Sequence, residues 1–238
     1  MYADLTTKNP SFLKRFSHSR RFDIALELLA IDPNDKVLDY GTGDGFMLAK
    51  LLSADPQLVV GYEPTENAYQ ELQEATSKIA DKRVIITNYV NHLELQSFDK
   101  VCCLEVLEHL AEENQRKALL DIRSVLKDAG FVVASVPIEI GLSGLLKNLA
   151  RWILRQQHRN STVVNIFKSF IGWKIDRGND AFILSHIGFD YRDLEKLFAS
   201  VGFGVKQRRF SPLQGFGRFL NSQVLFVLQK SRANNALD

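Results

Sequence analysis

A chain of 238 residues with 45% hydrophobic and 24% charged residues has the composition of an ordinary globular protein, which excludes a disordered or fibrous one. The net charge of +2 conceals an imbalance: residues 1–140 hold 15 Lys/Arg against 22 Asp/Glu, whereas residues 141–238 hold 15 against 6. The basic second part admits an anionic substrate, a nucleic acid or an acidic membrane surface, and charge alone does not choose among them.

No basic start followed by an apolar run opens the chain, so no secretory signal is expected. Residues 21–30 then show helical spacing of Phe22, Ala25, Leu26 and Leu29, ending before the turn-forming Asp32-Pro33-Asn34-Asp35. Short β-branched runs follow at 36–40, 58–63, 83–88, 98–104 and 130–137, with helical patterns at 45–52, 67–79 and 112–126 between them. That alternation marks successive βαβ units and a parallel sheet covered by helices. The adjacent Cys102 and Cys103 lie inside one of the apolar runs, offer no disulfide framework or metal-binding pair, and suit a reducing compartment. No metal is expected.

Residues 138–186 break the alternation and read as a largely helical insertion into one domain spanning 1–238, which starts with a helical segment over 1–32. The long near-apolar stretch 131–154 is interrupted by Glu139, Lys147, Asn148 and Arg151, so it does not read as a membrane span, and a cytoplasmic protein is expected. Within it Lys147, Arg151, Arg155 and Arg159 recur every fourth residue and form one stripe on a helix, with Leu142, Leu145, Leu146, Leu149, Trp152 and Ile153 on another side. A basic amphipathic helix over 142–159 suits peripheral contact with an anionic membrane, a lid over an acceptor, or plain packing with a solvated charged face. Beyond it, residues 191–201 read as a helix and 203–210 and 223–229 as strands; the short Pro- and Gly-containing link between those strands makes them an antiparallel hairpin.

The strongest chemical signal is Val37-Leu38-Asp39-Tyr40-Gly41-Thr42-Gly43-Asp44-Gly45, a strand running into a glycine-rich turn that opens a helix. Its glycines let backbone N–H groups approach a ligand at the carboxyl end of the sheet, although an empty βα turn has the same chemistry. The spacing is G-x-G-x-G and not the G-x-G-x-x-G of dinucleotide binding, and Asp39 stands where a pyrophosphate would be repelled and an ammonium or sulfonium attracted. Glu63 closes the next strand, where a carboxylate accepts both hydroxyls of a ribose.

The ordered segments VLDYGTGDG, GYEP, FDKVCCLEVLEHL and LKDAGFVVASVP resemble the motif series of class I S-adenosylmethionine-dependent methyltransferases, especially those acting on small molecules (the type 11/12 families). The resemblance spans about residues 20–137 and resumes over 186–203. It implies a Rossmann-like α/β fold: a mostly parallel seven-stranded sheet with helices on both faces and an antiparallel last strand. It implies S-adenosyl-L-methionine as the donor, S-adenosyl-L-homocysteine as the product, and a small-molecule, sugar- or lipid-linked acceptor. Carried over to this chain, the methionine part meets Asp39, Tyr40, Gly41, Thr42 and Gly43, the ribose meets Glu63, and the adenine lies beside Pro64. Asn88 and Tyr89 stand where many family members have an adenine-binding Asp, and Leu104 and Glu105 line the cleft near the methyl group. His109 is the residue of that cleft able to take a proton near neutral pH, and the resemblance puts His186 on the substrate side. Each has an ordinary alternative: a structural histidine bonding a carbonyl, or one capping a helix.

Glu105 and Glu108 read as surface carboxylates at a helix start. The cluster Phe16-Ser17-His18-Ser19-Arg20-Arg21 reads as a solvated helix start, with a lid over the donor as the alternative. Nucleic acid is the disfavoured acceptor, because the turn after the fourth strand has CLEVLEHL in place of the Asn/Asp-Pro-Pro-aromatic turn of base methylation, and no Pro-Cys nucleophile exists. A scaffold that keeps the cofactor fold without catalysis, and an NAD-dependent oxidoreductase, are the rival functions.

Overall fold

The computed structural model describes residues 12–153, 162–177, 183, 186–213, 215 and 217–231. In chain order the elements are α1 (Phe12–Leu29), β1 (Lys36–Tyr40), α2 (Phe46–Leu52), β2 (Leu58–Tyr62), α3 (Glu66–Thr76), β3 (Val84–Thr87), β4 (Phe98–Leu104), α4 (Glu112–Val125), β5 (Leu126–Pro137), α5 (Gly141–Ile153), α6 (Val163–Ile171), α7 (Tyr191–Ser200), β6 (Phe203–Ser211) and β7 (Gln223–Lys230). All seven strands form one sheet in the order β3-β2-β1-β4-β5-β7-β6. The pairs β1–β2, β1–β4, β2–β3 and β4–β5 are parallel; β7 runs antiparallel to both neighbours, β5 and β6. The terminal hairpin expected from the Pro- and Gly-containing link is present, and its second strand wedges between β5 and β6.

Because consecutive strand residues point to opposite faces, each apolar strand feeds two cores. Val37 and Cys102 enter the core roofed by Ile24 of α1, Leu48 of α2 and Leu72 of α3. Leu38 and Cys103, one residue on, enter the other core, with Leu119 and Ile122 of α4 and Leu194 and Phe198 of α7. Both thiols are buried and free. The helices show the matching stripe: α4 buries Gln115, Ala118, Leu119, Ile122 and Val125, the i, i+3, i+4 spacing of a single face, and starts with Glu112 and Glu113 at its positive end.

Two boundaries differ from the sequence reading. Helix α1, described from Phe12, lies within the helical segment expected over 1–32 but reaches back beyond residue 21, where the apolar spacing begins. Strand β5 begins at Leu126, directly after α4, because Leu126 pairs with Phe98 before the register shifts at Lys100. Lys127-Asp128-Ala129-Gly130 fall in that register shift, between the pairs Phe98–Leu126 and Lys100–Phe131. The residues described between β5 and α7 carry α5 and α6. Among the described residues no helix is long and apolar enough to cross a membrane.

Candidate active site

The carboxyl ends of β1 and β2 are tied together by their backbones: the Gly41 and Thr42 N–H groups both donate to the Tyr62 carbonyl, at 2.8 and 3.0 Å. Gly41 has φ +79° and Gly43 φ +57°, conformations that favour glycine. At Gly41 the reason is also space, since a Cβ there would sit 2.5 Å from the Val106 side chain. Gly43 has nothing within 4 Å of such an atom, so this side of the loop is open to a ligand.

Two buried carboxylates flank that opening. Asp39 is 2% exposed and accepts the Thr42 hydroxyl proton at 2.6 Å. Burial pushes its carboxyl up to about 7, the Thr42 hydrogen bond opposing and the nearby Glu63 charge adding to the rise. Glu63, 7% exposed, accepts the Gly43 N–H on one oxygen and the Thr65 N–H on the other, each at 3.0 Å. Those bonds fix the carboxylate across the gap between the two strand ends and leave it lone pairs for a diol. A buried carboxyl at each strand end, an open glycine between them and, among the described residues, no cationic side chain bonded to either suit a positively charged nucleoside.

Tyr40 departs from the expected contact. One residue past Asp39, it points to the opposite face of the sheet, where its hydroxyl donates to Asp121 at 3.3 Å and its ring lies 4.8 Å from that of Tyr62. Only its backbone belongs to the loop. Pro64 is exposed at the rim. The Asn88 amide donates to Glu66 at 3.4 Å, and Tyr89, 58% exposed, stacks on His92. Leu104 packs against the core beneath α1. Glu105, with φ +56°, forms an ion pair at 3.1 Å with Arg21. Arg21 is 3% exposed and lies over the Phe22 ring, so this part of the N-terminal cluster is buried against the end of β4 and is not a solvated helix start. The side chains of Phe16, Ser17 and His18 lie outside the described residues.

The turn after β4 holds a second correction. Glu108 is fully buried and not a surface carboxylate; burial drives its carboxyl well above the usual range, and the Glu105 charge adds to that. The short helical turn of Leu107–His109 points it inward, and Gln115 of α4 holds that turn by donating to the Leu107 carbonyl at 2.7 Å. Arg177 donates to the Glu108 carbonyl at 2.6 Å. His109 Nδ1 lies 3.0 Å from the Ile183 carbonyl, and the Ile183 N–H donates to the His109 carbonyl at 2.7 Å. The fold thus brings His109 and His186 together, with ring centroids 4.8 Å apart and planes at 64°. Burial holds His186 down at about 4, against the pull of Glu139.

Glu139, 1% exposed, pairs with Lys147 at 3.1 Å and Arg151 at 3.0 Å. Its burial alone would raise its carboxyl, but the two cations prevail and hold it at about 2. Lys147 also donates to the Ile138 and Ser222 carbonyls at 2.9 and 2.8 Å. Two of the four cations of the expected basic stripe therefore face inward; Arg155, Arg159 and the side chains of Trp152 and Ile153 lie outside the described residues. Sequence reasoning missed the roles of Arg21, Glu139 and Arg177. The one signal was Glu139 itself, an acid inside an apolar run, which needs a partner when buried. A groove of about 970 Å³ runs between α4, α7 and residues 172–177; it reaches Arg177 and Ile183 beside His109 but not Asp39 or Glu63.

This strand order with an antiparallel β7 is the fold of a class I S-adenosylmethionine-dependent methyltransferase. The chain belongs to the methyltransferase domain family, whose model matches residues 13–207. An uncharacterized methyltransferase of Oceanobacillus iheyensis is 29% identical over 135 residues, 56% of this chain and 60% of that protein. A solved protein of Pyrococcus horikoshii superposes with a TM-score of 0.65 at 16% identity, covering 97% of this chain and 98% of its own. The Burkholderia thailandensis 1,6-didemethyltoxoflavin N1-methyltransferase, solved with its substrate and S-adenosylhomocysteine, superposes at 0.57 with 14% identity over 97% of this chain and 86% of its own.

Proposed function

We propose that this chain transfers a methyl group from S-adenosylmethionine to a small-molecule acceptor held between the turn after β4 and residues 138–186. The observation that carries this reading is the pair of buried carboxylates, Asp39 and Glu63, on either side of the open face at Gly43. When bound there, S-adenosylmethionine supplies an electrophilic methyl carbon on a sulfonium centre. Asp39 meets the cationic methionine end, Glu63 accepts the ribose hydroxyls, and the Gly41–Gly43 backbone lets the donor lie close to the sheet. Alignment of donor and acceptor carries most of the rate; well-oriented reactants lower a barrier by about 7 to 11 kcal/mol. His109, its Nδ1 held by the Ile183 carbonyl, keeps Nε2 for an acceptor proton.

Exposed apolar side chains favour a lipid-linked acceptor at an anionic membrane surface. Leu142 and Leu146 of α5, Val163 and Phe167 of α6 and Trp173 after it are all at least 41% exposed, and Lys168 and the exposed Lys174 lie among them.

Titration calorimetry with S-adenosylmethionine, S-adenosylhomocysteine and NAD tests the donor site. The first two should bind and NAD should not, and Asp39→Ala and Glu63→Ala should each weaken binding by roughly 1–3 kcal/mol. Binding of NAD alone, or unchanged affinity in both variants, overturns the reading.

A further inference from the structure

Among the described residues, Glu108, His109 and His186 form a group of possible metal-donor side chains away from the donor loop. One donor atom from each of Glu108, His109 and His186 lies within 4.8 Å of the other two. Glu108 is completely buried, and neither of its carboxylate oxygens has a hydrogen-bond partner among the described residues. A carboxylate so placed is costly unless a cation or a proton meets it. His109 is oriented by its far side: a carbonyl only accepts, so the Nδ1 that lies 3.0 Å from the Ile183 oxygen carries the proton, and Nε2 keeps its lone pair. That lone-pair nitrogen lies 4.0 Å from Glu108 Oε1, too far for a hydrogen bond. The buried Nδ1 of His186 is likewise without a hydrogen bond. With Glu108 ionised, its Oε1 and the His109 Nε2 are two acceptor atoms facing one another, an arrangement that a proton on the carboxyl or a cation between them makes favourable; Arg21 and Arg177 are near enough to favour the ionised form. A histidine whose second nitrogen donates to a backbone carbonyl is also the usual form of a metal-ligating imidazole.

We propose that Glu108, His109 and His186 bind one first-row divalent transition-metal ion. Two imidazoles and one carboxylate are the donor set of Mn²⁺, Fe²⁺, Co²⁺ or Zn²⁺ and not of Ca²⁺ or Mg²⁺. Bonds of about 2.0–2.2 Å require the three side chains to draw together, and three protein ligands leave further positions for an exogenous oxygen. Val106, two residues before Glu108, packs against Gly41 of the donor loop, so the turn that carries Glu108 and His109 adjoins that loop. The ion would hold and polarise a hydroxyl, carboxylate or phosphate oxygen of the acceptor, a role that takes the place of His109 as a base, because the Nε2 lone pair is then on the ion. This acceptor role rests on the methyltransferase reading; metal binding does not.

The test is a titration of the full, tag-free, chelator-dialysed chain with Co²⁺ in the absence of methyl donor, read by visible absorption and calorimetry. One equivalent should bind with ligand-field bands. Glu108→Gln and His186→Gln should each weaken Co²⁺ binding by at least the ~10–100-fold that follows loss of a group merely hydrogen-bonded to a ligand, while His92→Gln leaves it unchanged. Circular dichroism confirms the fold of each variant; if Glu108→Gln does not fold, His186→Gln decides alone. Absence of stoichiometric binding, or equal affinity in His186→Gln, overturns the proposal. S-adenosylhomocysteine affinity, measured separately, reports on the donor site, so failure of one reading is told apart from failure of the other.

Discussion

At the ends of β1 and β2, Asp39 and Glu63 are each met by donors from the turn that carries them or its neighbour: the Thr42 hydroxyl and the Gly43 and Thr65 amides. After β4, Glu108 is buried with no such donor among the described residues, and Glu139 is neutralised by Lys147 and Arg151, about two and three helical turns into α5. The donor end is thus a local structure, in which a short run of sequence brings its own hydrogen bonds. The other end, where we place the acceptor, is assembled from β4, α5, residues 172–177, Ile183 and His186, and its charges balance only when those parts dock. Changes at the first should be felt mainly in ligand affinity, and changes at the second mainly in folding and metal content.

Glu139→Gln should show the largest effect, because it leaves Lys147 and Arg151 packed against a neutral amide. Breaking a buried pair costs about 3–5 kcal/mol, the lower figure applying here since both cations keep some solvent contact. Urea denaturation measures it, and a loss below 1 kcal/mol would remove the contrast between the two ends. The pH dependence has the same origin. The Glu139 carboxyl is held at about 2 when folded, against an ordinary 4.5. Its contribution is therefore complete above pH ~4.5 and is lost as the pH falls from there towards 2. Glu139→Gln should flatten that acid limb.

Gly41→Ala probes the donor end where it is packed. Its Cβ would approach Val106 to 2.5 Å on a backbone with φ +79°, which together cost about 2–4 kcal/mol. Gly43→Ala meets no atom and should cost only about 1–2 kcal/mol of stability while weakening S-adenosylhomocysteine binding. Equal thermal shifts in the two variants would mean that the open side of the loop is wrongly placed.

A smaller signal belongs to Asp39. With its folded carboxyl raised to about 7, the ligand-free protein binds more protons than the unfolded chain between pH ~4 and 7, so this group's contribution to stability falls as pH rises through that window. A cationic ligand favours the ionised form. Binding of S-adenosylmethionine at pH 7 should release up to about half a proton, fading above pH ~8.5, as read by calorimetry in buffers of different ionisation enthalpy. Proton uptake would contradict the assigned contact. The smallest expected effect is at the acceptor end's outer surface: Phe167→Ser with Trp173→Ser should reduce sedimentation with phosphatidylglycerol vesicles. If the parent chain does not sediment with them, the membrane surface is not its partner.

Much of this architecture is legible one segment at a time. Alternating apolar strands and helical stripes, the G-x-G-x-G turn, and a Pro- and Gly-containing link too short for a comfortable crossover specify a parallel sheet with a ligand turn and an antiparallel hairpin at its end. Asp39 and Glu63 follow from the same reading, because each is the acid that closes its strand. The orientation of Tyr40 was also within reach of strand alternation, since Asp39 and Tyr40 cannot face the same side.

Spacing along the chain, in contrast, could not give the burial of Glu108, the inward turn of Lys147 and Arg151, the seat of Arg21 beside Glu105, or the meeting of His109 with His186. Local sequence sets periodicity and turn chemistry, since those depend on neighbouring backbone dihedrals and side-chain volumes. Which face of a helix is buried, and which charge finds a counter-charge, is decided by segments far apart in the chain, because desolvation and ion pairing act through space. The glycine-rich turn was therefore legible in one stretch of residues, whereas the grouping of Glu108, His109, Glu139 and His186 depends on the packing of the sheet, α5 and residues 172–177 against one another.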